Sequence, residues 1–182
     1  MMQKLFVYIS TMCAALMLGA CSQSAPPQKA APAATRPDVK VDADAAAIVA
    51  RIRAAGAQFD SSVEVKPLRD AAVEGLLKQA HDYEAQQQPG PALDAVAKAL
   101  KIAPNAPDIL QYQAELQVEA GQWKPASASA QRSYDLGPKV GALCARNLQT
   151  LVETNNLLGD PTDANLARQR LSSCKVPAPV RY

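Results

Sequence analysis

The sequence predicts an all-α protein, a short solenoid of helical hairpins carried on a disordered N-terminal tether. Three observations lead there. Pro104 and Pro138 each close an apolar-periodic stretch and stand thirty-four positions apart, with small residues recurring at matching places between them. Hydrophobic residues make up 48% of the chain and many of them are alanine, while aromatics are only 4%. That balance favours close-packed helices over a β-sandwich. Only one short segment, residues 61–67, alternates apolar and polar side chains, and no second candidate strand exists to pair with it. It reads as an extended connector.

Composition also excludes functions. A formal net charge of +2 is too balanced for a protein that owes its affinity to phosphates, and so few aromatics leave no base-stacking surface. Neither a nucleic acid nor a small-molecule substrate is expected as a partner. His81 is the single histidine, so no His-pair metal site can form.

The elements follow in chain order. Lys4 and the apolar run over residues 5–18, broken only by Ser10 and Thr11, fit a secretory signal and are too short to span a bilayer, which takes about 20 residues. Leu18-Gly19-Ala20-Cys21 comes next and resembles the lipobox of bacterial lipoproteins. The resemblance implies cleavage before Cys21, acylation of its thiol and amine, and a stable membrane anchor, since each buried methylene contributes about 0.8 kcal/mol. Ser22 in place of aspartate implies outer-membrane sorting by the enteric rule. Residues 1–20 are thus a lipoprotein signal peptide and residues 21–41 a lipid-anchored Pro/Ala-rich linker. The linker holds Pro26, Pro27, Pro32 and Pro37, has no apolar period, and at about 3.1 Å per residue reaches roughly 60 Å.

Residues 42–177 form the predicted helical domain, followed by a tail over residues 178–182. Ala45, Ile48, Val49, Ile52 and Ala55 form one apolar stripe on a first helix, with Gly56 as its C-cap. In the first repeat unit Leu76, Ala80 and Tyr83 give a large–small–aromatic pattern, Ala92, Val96 and Ala99 mark a second helix, and Pro104 terminates it. Thirty-four positions on stand Leu110, Ala114, Gln117, Ala126, Ala130, Ser133 and Pro138. Gln117 replaces the aromatic, and Ala130 and Ser133 are smaller or more polar than the pattern asks. These residues, with the turn Ala120-Gly121-Gln122-Trp123, resemble the tetratricopeptide repeat, in which two small residues let antiparallel helices approach closely.

Residues 140–174 depart from that pattern. Cys144, Leu148, Leu151 and Val152 keep a helical stripe, and Asp160-Pro161 supplies an N-cap and an N1 proline, but no alanine stands at the corresponding start of the second helix. The unit reads as a degenerate or capping hairpin. If Cys13 leaves with the signal and Cys21 carries lipid, Cys144 and Cys174 remain. Both lie fifteen positions from Gly159, at the hairpin's open end, and an oxidising periplasm favours a disulfide between them over two buried thiols.

No catalytic residue, metal site or cofactor is expected, because no HExxH, Walker or dinucleotide-glycine pattern occurs and one histidine offers little for a nucleophilic triad. Repeat hairpins instead curve around a groove lined by their first helices. The resemblance turns Leu77, His81, Glu84, Gln111, Glu115, Arg146 and Gln149 toward that groove as partner-binding residues, each of which is equally readable as ordinary solvated surface. Lipobox, Pro/Ala tether and short repeat domain together resemble the LpoP-type activators of bifunctional penicillin-binding proteins. That likeness implies a non-enzymatic outer-membrane lipoprotein with its domain in the periplasm and a peptidoglycan synthase as envelope partner. Two alternatives stay open. One is a pilotin or assembly-factor lipoprotein for pili or outer-membrane proteins, and the other is a structural or wall-binding lipoprotein with no regulated partner.

Overall fold

The computed structural model describes residues 43–59 and 68–175. The signal peptide, Cys21, the linker, the connector over residues 61–67 and the tail over residues 178–182 lie outside the described residues. Among the described residues seven α-helices follow one another: α1 (Ala43–Gln58), α2 (Ala71–Ala85), α3 (Pro89–Ile102), α4 (Pro107–Glu119), α5 (Trp123–Leu136), α6 (Gly141–Leu157) and α7 (Pro161–Leu171), closed by a 3₁₀ turn, Ser172–Cys174. Among the described residues there is no strand, and no helix is long and apolar enough to cross a membrane. The fold is all-α.

Helices α2–α3, α4–α5 and α6–α7 pack as three consecutive hairpins, and α3 and α5 each pack on the first helix of the next hairpin. Local chemistry starts the helices. Asp70 accepts a hydrogen bond from the Ala72 amide at 2.7 Å to cap α2, and Asp160 accepts one from the Asp163 amide at 3.0 Å to cap α7. Pro89, Pro107 and Pro161 each open a helix at a position with no amide to lose.

The three hairpin turns share one geometry. The amides of Gln88, Gln122 and Asp160 donate to the carbonyls of Tyr83, Gln117 and Asn155 at 2.9, 2.8 and 2.8 Å, the wide bond of a Schellman motif. That motif needs a left-handed residue, which is Gln87 (φ 58°) in the first turn, Gly121 (φ 68°) in the second and Gly159 (φ 76°) in the third. Gln87 and Gly121 are thirty-four positions apart, so the sequence period is also a backbone period. Only glycine takes this conformation without steric cost, which leaves the first turn strained at Gln87.

Packing follows the small residues. Ala80 and Ala92 are both wholly buried where α2 meets α3, with Val96 and Ala99 beside them and Leu76 and Tyr83 packed at the edge. Ala114, Ala126 and Ala130 are likewise buried around α4 and α5. Ser133 stands where the first unit has Ala99. Its hydroxyl donates to the Pro107 carbonyl at 2.5 Å, so the polar departure ties α5 to the start of α4.

Two expectations are corrected. The third hairpin does have its small residue: α6 has 17 residues against 13 in α4, one extra turn, so the partner of Ala126 falls at Ala164, which is buried. Gly56 does not cap α1, because the helix runs on to Gln58. A Cβ at Gly56 would lie 2.6 Å from Arg146 Cγ and 3.3 Å from the Ala142 carbonyl oxygen, so glycine is there to let α1 cross α6 closely. Cys144 and Cys174 are disulfide-bonded and buried, with Cα atoms 5.7 Å apart, which staples the open end of the last hairpin.

Candidate functional site

The first helices of the three hairpins present one face, and α1 lies on it, packed against α4 and α6. Its apolar stripe is the reason. Ile48, Val49 and Ile52 form a buried cluster with Val118 and Ala126, edged by Trp123. Ile52 is wholly buried.

Charged residues then set the register. Glu115 of α4 has no exposed surface, and its two carboxylate oxygens are held from both sides. Arg53 of α1 donates Nε to Oε2 at 2.9 Å, and Arg146 of α6 donates Nε to Oε1 at 2.8 Å. Gln111 adds an amide hydrogen bond to the same Oε1 at 2.9 Å and another to Thr150 Oγ1 at 2.9 Å. Arg53 also reaches Glu84 of α2, Nη2 to Oε1 at 2.5 Å, while the Tyr112 hydroxyl donates to Glu84 Oε2 at 2.8 Å. Further along, Arg51 makes a bidentate pair with Glu153, both bonds 2.9 Å, and Gln149 donates to the same carboxylate at 2.8 Å. His81 stacks on Tyr112 with ring centroids 4.5 Å apart.

Protonation follows these contacts. Burial would raise the Glu84 carboxyl, but hydrogen bonds from Arg53 and Tyr112 hold it below the usual carboxylate range. Burial would lower Arg53, but Glu115 and Glu84 raise it further. The Arg51 hydrogen bond holds Glu153 low. Glu119 behaves oppositely. Burial, then the negative charge of Glu84, push it up to about 7, and the positive charge of Arg53 offsets this only in part. It lines a cavity of about 360 Å³ with Ala46, Arg53, His81, Glu84, Ala85 and Gln87, where α1 leaves the face partly open.

Of the seven residues predicted for the groove, His81, Glu84, Gln111, Glu115, Arg146 and Gln149 come together on this face. Leu77 does not: it is 8% exposed and belongs to the α2–α3 core, the helical phase being one position off. Gln111 and Glu115 are on the face but covered, and the residue that meets Glu115 from above, Arg53, stands on the chain's own α1. Tyr112 and Glu153 escaped the sequence reading. They were findable only by asking which side chains an arginine-bearing amphipathic helix would need opposite it.

A second cleft, about 410 Å³, lies between α5 and α7, floored by Leu148 and Leu151 and edged by Leu158 and Leu166. Among the described residues no group of three His, Cys, Asp or Glu side chains is placed to hold a metal ion. His81 faces Tyr112 and Glu84, an arrangement that orients a carboxylate.

No protein-family model matches the chain. The fold is shared with the globular C-terminal domain of P. aeruginosa LpoP, with a TM-score of 0.53 and 25% identity, over 58% of this chain and 99% of that one. The chain is also 33% identical, over 82 residues or 45% of its length, to the cellulose synthase 1 operon protein C of Komagataeibacter xylinus, but spans only 6% of that protein.

Proposed function

We propose that the protein is a lipid-anchored, non-enzymatic binding module of the periplasm that activates a bifunctional peptidoglycan synthase of the penicillin-binding class. Residues 1–20 direct export, Cys21 anchors the chain to the outer membrane, residues 21–41 span toward the wall, and the domain over residues 42–177 meets the synthase. The observation that carries this reading is the likeness to the LpoP domain, which the chain covers almost from end to end. The groove-face residues His81, Glu84, Gln111, Glu115, Arg146 and Gln149 are the proposed recognition elements, the buried ones acting once uncovered. Activation is allosteric: the module binds the synthase's active state more tightly than its resting state and shifts the population.

The test is reconstitution. The chain without residues 1–20, added to a purified bifunctional synthase, accelerates glycan polymerisation and co-purifies with it. Absence of both, with the helical signal intact, contradicts the reading. Recovery of secretin or barrel-assembly components from envelope extracts points instead to an assembly factor. Binding to bare sacculi points to a wall protein.

A further inference from the structure

The surface under α1 does not have the composition of a permanent core. Among the described residues six polar side chains are buried; one of them, Glu115, is met directly by Arg53 of α1, and Gln111 and Thr150 are joined to it in one hydrogen-bonded chain, while Asn147 and Thr154 stand elsewhere on α6. Neither polar atom of the Asn147 amide has a protein partner, nor does Gln111 Oε1. A seam sealed for good is more stable lined with apolar residues, because each buried polar group left unmatched costs about 1–3 kcal/mol. By contrast, the buried cluster around α2 and α3 is made of aliphatic side chains with one tyrosine.

The charges show what this surface selects. It presents Glu84, Glu115 and Glu153 to α1, which answers with Arg53 and Arg51. Glu119 shares a cavity with Glu84, and the α1 residues bordering it are Ala46, which carries no charge, and Arg53, whose Nε and Nη2 are already taken by Glu115 and Glu84. The face therefore offers one more acidic position than α1 fills. Only residues 59–70 join α1 to α2, so α1 stays at an effective concentration on the order of millimolar and has to be outcompeted.

Resting on the proposed binding function, we infer that α1 is an exchangeable occupant of the groove, and that the partner's docking element is an amphipathic basic helix which displaces it. That helix carries aliphatic residues in the places of Ile48, Val49 and Ile52, an arginine in the place of Arg53 to reach Glu115 and Glu84, and a small residue in the place of Gly56 where it crosses α6. A further basic residue in the place of Ala46 engages Glu119 and gives it the advantage over α1. The buried arginine contact gives register and specificity, and the aliphatic stripe gives affinity.

A fluorescent peptide with the sequence of residues 43–58 serves as the probe, titrated into the full chain and into its Ile52→Asp variant. Loosening the internal helix makes the variant bind the peptide at least about tenfold more tightly than the unmodified chain does. The peptide bearing Arg53→Glu binds neither, and the peptide bearing Ala46→Arg binds the variant best. Equal affinity for both chains, with the helical signal intact, overturns the inference. So does collapse of the whole helical signal in both Ile52→Asp and the milder Arg53→Glu chain, since α1 is then inseparable from the rest. A chain that opens only as a dimer makes the occupant a second copy and also overturns it. These readouts need no synthase, so failure of the activator reading leaves them standing, and their failure leaves the activator reading to its own test.

Discussion

Between α2 and α3, Ala80, Ala92, Val96 and Ala99 meet with no exposed surface, and the only polar atom in their cluster is the Tyr112 hydroxyl. Where α1 crosses α4 and α6, a buried carboxylate, Glu115, instead takes hydrogen bonds from two partly exposed arginines and from Gln111, whose amide also reaches Thr150. The first seam derives its stability from close contact of small and branched side chains, which gains nothing from any other arrangement. The second derives specificity from matched charges, which a different helix with the same charges could also satisfy. Helices of one solenoid thus meet through an apolar seam on one side and a charged one on the other.

The comparison breaks most easily in the dry seam. Leu116→Ala, a truncation at a wholly buried position of that core, lowers the stability of the whole domain by about 3–4 kcal/mol in denaturant unfolding. In the polar seam, Glu115→Ala leaves Arg146 without its counter-charge and Arg53 with Glu84 alone, and costs roughly 3 kcal/mol. Replacing all three with apolar residues, as Glu115→Leu with Arg53→Met and Arg146→Met, restores most of that loss. A restoration of under a third would show that the charges stabilise the fold, not merely select its occupant.

Acidity sharpens the contrast. Glu119 is raised to about 7 in the folded domain, above its unfolded value, so the native state holds the extra proton. Stability therefore falls as pH rises from about 4.5 to 7 and then levels off. Glu84 and Glu153 are held low and act in the opposite sense, losing their contribution as pH drops into the acid range. Glu119→Gln removes the neutral-range decline and adds about 1 kcal/mol at pH 8 after allowance for solvent screening. Thermal unfolding followed from pH 5 to pH 8 reads this directly. The smallest effect belongs to the first hairpin turn, where Gln87→Gly relieves a left-handed residue and raises stability by about 0.5–1 kcal/mol in the same assay.

Much of the scaffold was legible in the chain. The interval between Pro104 and Pro138 reappears as the interval between the turn residues Gln87 and Gly121, and the alanines at 80, 92, 114 and 126 are buried where close approach requires them. Local chemistry records such features. The third hairpin was harder, because one added turn in α6 displaces Ala164 from the position a strict period assigns. Least legible was the covering of the groove. The pairs Arg53–Glu115 and Arg51–Glu153 span 62 and 102 positions of chain, and no local pattern in α1 records where it docks. Gly56 illustrates this, since the residue that resembled a helix end is a crossing point whose reason lies on α6.

Amide hydrogen exchange on the unmodified chain tests most directly whether α1 is a separable occupant. The amides of Val49, Ile52 and Arg53 exchange through a local opening, at least about a hundredfold faster than those of Ala80, Val96 and Ala99 and nearly independently of added denaturant. Equal protection at both sets, with the same denaturant dependence, would mean that α1 leaves only when the whole domain unfolds, and would contradict the account.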